Sequence, residues 1–153
     1  MAGKHFEDWV EGYEFVTPTR TMTETDLVMF AAMTGDYNEL HTSDAFMKES
    51  QFGRRIGHGL LGLAVSHGLL FRTGFLEGTA IAFLEVESWK FMAPFFIGDT
   101  IHVRFKVAEA KASESKPDRG IVKLKLEIIN QDGSVIQSGY KTLMVKRRTT
   151  KRH

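Results

Sequence analysis

"GLLGLAVSHGLLF", residues 59–71, holds no acid, lysine or arginine and is apolar on nearly every side when wound as a helix. A helix of this kind is stable only when most of its surface is buried. It is too short to cross a bilayer and is interrupted by Gly62, Ser66, His67 and Gly68. Gly62, Ser66 and Gly68 lower helix propensity but let another backbone come close. The rest of the chain must therefore supply a wrapper, and everything after Gly78 reads as strand. "TAIAFLEVESWKFMAP", "DTIHVRFKVAEAKAS", "GIVKLKLEIINQ" and "SVIQSGYKTLMVKR" alternate apolar and polar residues. In "VKLKLEI" the side chains of Val122, Leu124, Leu126 and Ile128 share one face. "NQDGS" and "KPDRG" supply turns between strands. An earlier stretch, "YEFVTPTRTMT", reads as an edge or bent strand because of Pro18. The plan is α+β: a single domain with a curved antiparallel sheet of about five strands around a central buried helix.

The chain has 153 residues, enough for one domain with a real core. With 42% hydrophobic and 25% charged residues it falls in the globular class, not the disordered one. Twenty basic against nineteen acidic residues give +1, which predicts no general polyanion partner, neither nucleic acid nor membrane. The final "KRRTTKRH" holds five of the basic residues and no acid, and the sequence divides into a domain over 1–147 and a frayed basic tail over 148–153. There is no cysteine, so disulfides and thiolate metal sites are excluded and a reducing cytoplasm is compatible. The opening "MAGKHFEDWVEGYEF" has acids and no apolar core of a signal peptide.

"TETDLVMFAAMTG" reads as a helix. Thr23 and Asp26 form a capping box, Leu27, Phe30, Ala31 and Thr34 share a face, and Gly35 stops it. It delivers the chain into "TGDYNELH", residues 34–41, and "SDAFMKES" then makes a short helix capped by Ser43. Asp36 and His41, five apart across a turn, can face the same way. A carboxylate that orients an imidazole can order and deprotonate a water, and the Asn38 amide can hold that water or the turn. The plainer reading of the spacing alone is an Asx turn that closes a helix.

The start of the apolar helix adds a second group. In "RRIGHGLL", Gly57 and Gly59 flank His58 where a helix begins. Free N–H groups at a helix N-terminus carry partial positive charge and suit a developing oxyanion. Gly59, lacking a side chain, lets a carbonyl oxygen approach closely. His58 reads as a hydrogen-bonded support. His67, nine residues on, falls on the opposite face of the helix, so the two cannot share a metal. No zinc-binding helix motif, Walker loop, Rossmann fingerprint or nucleophile elbow is present, and no metal site is expected. Arg54 and Arg55 in "FGRRIG" can meet phosphate.

"TETDLVMFAAMTGDYNELHTSDAFMKESQFGRRIGHGLL" resembles the MaoC-like dehydratases, the (R)-specific enoyl-CoA hydratase branch of the hot-dog fold. The family pattern runs Ser/Thr-Gly/Glu-Asp-x-Asn-Pro-Leu/Ile-His, then Ala, Phe-Gly and His-Gly. It falls here on Thr34, Gly35, Asp36, Asn38, Leu40, His41, Ala45, Phe52, Gly53, His58 and Gly59, and the family's Pro-x-x-x-Gly-Asp on Pro94, Gly98 and Asp99. The resemblance spans about residues 10–147. It implies Asp36 and His41 as the catalytic pair with Asn38 assisting, and Gly59 N–H on the thioester carbonyl. Phe52, His58 and His67 would line or support the substrate pocket, and Arg54 or Arg55 would meet CoA phosphates. The implied reaction is hydration of a trans-2-enoyl thioester of CoA or acyl carrier protein, or the reverse dehydration, without cofactor. The implied setting is cytoplasmic fatty acid metabolism, in a homodimer or an assembly of two or three dimers. A hot-dog acyl-CoA thioesterase and a non-catalytic acyl-thioester binding protein are the alternatives. Glu39 stands where the family usually has Pro, and His67 where relatives often have a small hydroxyl residue.

Overall fold

The computed structural model describes residues 3–148. A 3-10 turn, Phe6–Asp8, leads to β1 (Glu14–Val16) and β2 (Arg20–Thr21). Three helices follow, α1 (Glu24–Thr34), α2 (Glu39–Thr42) and α3 (Asp44–Lys48), and then the long α4 (Gly59–Phe71). The remainder is sheet: β3 (Ala80–Phe91), β4 (Thr100–Ala112), β5 (Arg119–Ile129) and β6 (Val135–Lys146). Of the expected tail, Arg148 bonds to Glu7 and Asp8, and 149–153 lie outside the described residues.

Every strand pairing is antiparallel, in the order β1-β4-β5-β6-β3, with β2 added alongside β4. The bend between β1 and β2 falls at Pro18, which has no N–H to offer. Thr17 bridges the break: its N–H donates to Val103 O, and its hydroxyl accepts from Val103 N–H. Val122, Leu124, Leu126 and Ile128 are all fully buried against the helix side, as their alternation requires. They share one core with Leu61, Val65, Leu69 and Leu70 of α4.

One side of α4 stays open in the single chain. Leu60 and Phe71 are 61% and 54% exposed, so the helix expected to be covered over most of its surface keeps an apolar stripe in solvent. The physical reason is the edge strand β3, where the sheet ends. Phe83, Leu84 and Val86 are likewise exposed along it. A bulge at Ser88, whose φ is 51°, shifts the register between Glu87 and Lys90 and turns Trp89 toward Gln137.

The loop from β3 to β4 locks the start of α4. Gly57 N–H donates to Phe95 O at 2.8 Å, Ile56 bridges to Phe96, and a Cβ on Gly57 would overlap the Phe95 ring. The loop is itself held by Asp99, whose carboxylate accepts from Phe96 N–H and from Gln131 Nε2–H. Phe95 is 1% exposed and has nowhere to retreat. Gly57→Ala is therefore expected to destabilise the fold by about 1–3 kcal/mol through overpacking. A lowered urea midpoint at unchanged slope would register it.

Candidate active site

The approach to the site is set by α1. Thr23 and Asp26 form the expected capping box, with Thr23 N–H donating to Asp26 Oδ2 and Asp26 N–H to Thr23 Oγ1. At the other end Gly35 takes φ 77°, a left-handed cap that ends the helix. Asn38 N–H then donates to Asp36 Oδ1 at 3.3 Å, and Leu40 N–H to Asn38 Oδ1 at 3.0 Å. These are the polar turns of the plainer sequence reading. They coexist with a paired geometry, because the stretch expected as a turn contains the one-turn helix α2, and α2 carries His41 inward.

His41 is 9% exposed, and its Nδ1 lies 2.8 Å from Ile56 O. A carbonyl only accepts, so Nδ1 holds the proton and, in the neutral ring, Nε2 presents its lone pair. Nε2 faces Asp36 Oδ2 at 3.9 Å. That gap is too long for a direct hydrogen bond and suits a bridging water. His58 stacks on His41 with ring centres 3.8 Å apart, packs edge-on against Phe30, and donates from Nε2 to Asp36 O at 3.1 Å. Burial pushes the His58 pKa down, and the neighbouring His41 acts the same way, against the Asp36 carbonyl and carboxylate. His58 is thus a neutral brace between the two residues. One donor atom each from Asp36, His41 and His58 lies within 4.8 Å of the others, so this is the group that would meet a cation.

A pocket of about 300 Å³ opens beside His41, bounded by Phe52, Ile56, Gly59, Phe91 and Gln137. Gly59 is the first residue of α4, and among the described residues its N–H has no hydrogen-bond partner. Of the residues expected from the sequence, His41, Phe52 and Gly59 border this pocket, while Asp36 and His58 adjoin it through their contacts with His41. Asn38 stands beside it as the cap of α2. Glu39 occupies the first turn of α2, a position where Pro is favoured and where a carboxylate suits the helix N-terminus. Arg54 stacks over the Phe96 ring at 3.8 Å, with Phe52 edge-on to the same ring. Arg55 does not share that exposure: Asp44 at 2.6 Å and Glu24 at 2.7 Å hold it, tying α3 to α1. His67 does not border this pocket; its ring lies against Phe83 on β3.

The MaoC like domain family matches residues 10–127. Protein MaoC of Klebsiella aerogenes is 38% identical over 101 residues, 66% of this chain, and the chain spans 30% of that protein's length. The (R)-specific enoyl-CoA hydratase of Aeromonas caviae is 32% identical over 114 residues, covering 74% of this chain and 79% of that one. Among solved structures, a monoamine oxidase regulatory protein from Archaeoglobus fulgidus superposes with a TM-score of 0.86 at 31% identity, over 97% of this chain and 98% of that one. A Mycobacterium tuberculosis protein with a double hot-dog fold matches 99% of this chain and 46% of its own at a TM-score of 0.81. At 18% identity that match shows the hot-dog fold alone.

Three side chains near the pocket were not picked out from the sequence: Trp89, Gln137 and Lys141. Their signal was present. Alternation along β6 places Gln137 and Lys141 in phase with Leu143 and Val145, on the helix-facing side. Lys141 is 1% exposed and donates to Ser66 Oγ at 2.8 Å. Burial pushes its pKa down to about 7. Between that value and the ordinary 10.5, the unfolded chain binds a proton that the folded chain rejects, so Lys141 makes stability rise with pH across this window. Below about 7 the cost is full. Lys141→Met removes it, and the variant's advantage over wild type should shrink by on the order of 4 kcal/mol between pH 7 and 10. Urea unfolding at several pH values measures this.

Proposed function

The chain belongs to the MaoC-like domain family, and on that premise we propose that it adds water reversibly across the trans-2 double bond of an enoyl thioester, giving the (R)-3-hydroxyacyl product. The observation that carries the proposal is the 3.9 Å gap between His41 Nε2 and Asp36 Oδ2, since His41 also borders the pocket that Gly59 borders. A water held there has a carboxylate to orient it and an imidazole lone pair to take its proton. The thioester carbonyl sits on Gly59 N–H at the mouth of α4, where the helix dipole favours negative charge. As the water oxygen bonds to C3, the π electrons move through C2 onto the thioester carbonyl oxygen, and His41 takes the water's proton. A proton then returns from the Asp36–His41 pair to C2, and the charge on oxygen collapses back to the carbonyl. Dehydration runs the same path in reverse.

Arg54 supports CoA as the carrier. Its guanidinium has no acidic partner among the described residues and sits over the Phe96 ring near Phe52, which borders the pocket. The open apolar surface of β3 and α4 supports a homodimer joined along β3, since a long unpaired edge is a template for a second strand. No helix among the described residues is long and apolar enough to cross a membrane. The name of the Archaeoglobus neighbour favours a second reading, thioester binding in a regulatory role without turnover.

Crotonyl-CoA separates these readings. Hydration removes the enoyl absorbance without releasing free thiol, whereas a binding protein leaves it intact. His41→Ala and Asp36→Asn should each lower kcat by about a hundred- to ten-thousand-fold in protein that circular dichroism shows to be folded at the assay temperature. Full rate in His41→Ala would overturn the assignment.

A further inference from the structure

The buried polar cluster behind the pocket belongs to no step of hydration. Lys141 Nζ gives one hydrogen bond to Ser66 Oγ, and the Ser66 hydroxyl in turn donates to Leu63 O at 2.6 Å. An ammonium has three N–H donors, so two are uncommitted, and among the described residues no carboxylate pairs with it. Next to Ser66 on α4, His67 has a buried Nδ1 with no partner. The Trp89 ring lies 5.9 Å from the amine. A buried cation without a counter-charge is costly, and the atom that relieves it is an anionic oxygen.

The cluster is continuous with the pocket. Gln137 borders the pocket, donates from Nε2 to Gly59 O at 3.0 Å, and accepts from Trp89 Nε1–H at 3.1 Å. Lys141 follows Gln137 four residues along the same face of β6, about 13 Å at strand rise. Ser66 follows Gly59 by seven residues, about 10 Å along the axis of α4. The seam between those tracks is walled by Gly62 and Gly139, which carry no side chains, and is filled by the side chains of Gln137 and Trp89. The side chains that close it are held by two hydrogen bonds, Trp89 Nε1–H to Gln137 Oε1 and Gln137 Nε2–H to Gly59 O, with the β3 backbone at Glu87 and Trp89 packed against Gly139.

We infer that this seam is the acyl end of the site and that Lys141 receives a terminal carboxylate there, so that the preferred substrates are short thioesters of dicarboxylic acids. The inference rests on the proposed function for the direction in which the thioester lies, carbonyl at Gly59 and acyl chain toward Ser66. The chain parts Gln137 from Trp89 as it enters. The carboxylate takes the uncommitted N–H groups of Lys141, and neutral His67, in its Nδ1–H tautomer, offers a further donor.

Glutaryl-CoA and pentanoyl-CoA test this, since they match in chain length, carry the same CoA and cannot be hydrated. Calorimetric titration of the full chain should show glutaryl-CoA binding about tenfold or more tightly than pentanoyl-CoA, the worth of a charge-assisted hydrogen bond. Lys141→Met should reverse the order, and Lys141→Arg, which keeps the charge, should retain part of the preference. Equal affinities in wild type, or tighter binding of pentanoyl-CoA, overturns the inference. If crotonyl-CoA is hydrated while that preference is absent, only the inference falls. If neither thioester binds and crotonyl-CoA is untouched, the proposed function falls with it. A preference for glutaryl-CoA that survives unchanged in Lys141→Met assigns the anion to another group and also overturns it.

Discussion

The contact between the Gly57 backbone and the Phe95 ring governs where α4 begins, and the site depends on that beginning. An apolar helix finds many ways to slide in an apolar trough, because hydrophobic contact is not directional. Here the slide is stopped at one end by a residue that has no room for even a methyl group. The same segment holds the other half of the site. Ile56 N–H donates to Leu40 O, and Ile56 O accepts from His41 Nδ1, so the strand-like approach to α4 grips α2 from both sides. Gly59 N–H and His41 Nε2 are thus placed by neighbouring residues of a single stretch, and Asp36 is brought to them by its carbonyl's bond with His58.

Much of this fold was legible because it obeys local rules. The capping box at Thr23, the left-handed stop at Gly35, the Ser43 cap and the alternation of Val122 to Ile128 all appear where the residue pattern puts them. What was not legible is what depends on two distant segments. "NELHT" has no apolar period to announce a helix, and α2 exists because Asn38 caps it and Ile56 braces it. β3 reads as an ordinary alternating strand, yet its position at the sheet edge leaves both of its faces largely open. Order of strands in a sheet is a property of the whole chain, and no window of β3 contains it.

The site divides in the same way. The spacing of Asp36 and His41 allows a pair, but on spacing alone the Asx turn is the plainer reading, and the structure contains the turn as well as the facing side chains. His58 is a support of a definite kind: a neutral imidazole, kept so by burial, that holds a backbone carbonyl on one side and a ring face on the other. Arg54 and Arg55 are adjacent and chemically identical, yet one is neutralised by acids 11 and 31 residues away. No local pattern separates them.

Polar groups are expensive inside a sheet, and their distribution across this one is uneven. The helix-facing rows of β4 and β5 are apolar throughout, from Val103 and Phe105 to Leu126 and Ile128. β6 breaks the rule twice, at Gln137 and Lys141, and α4 breaks it at Ser66, opposite Lys141. These exceptions lie along one seam that starts at the pocket wall. A fold selected only for stability gains nothing from a lysine there, because an apolar side chain of similar size would avoid the desolvation of an amine. Specificity for a charged group does gain, since a polar group left unpaired in the absence of its proper ligand discriminates far more strongly than a change in hydrocarbon length. The cost in stability and the location of the cost therefore point the same way: toward recognition at the far end of the acyl chain, separated by two turns of α4 from the chemistry at its mouth.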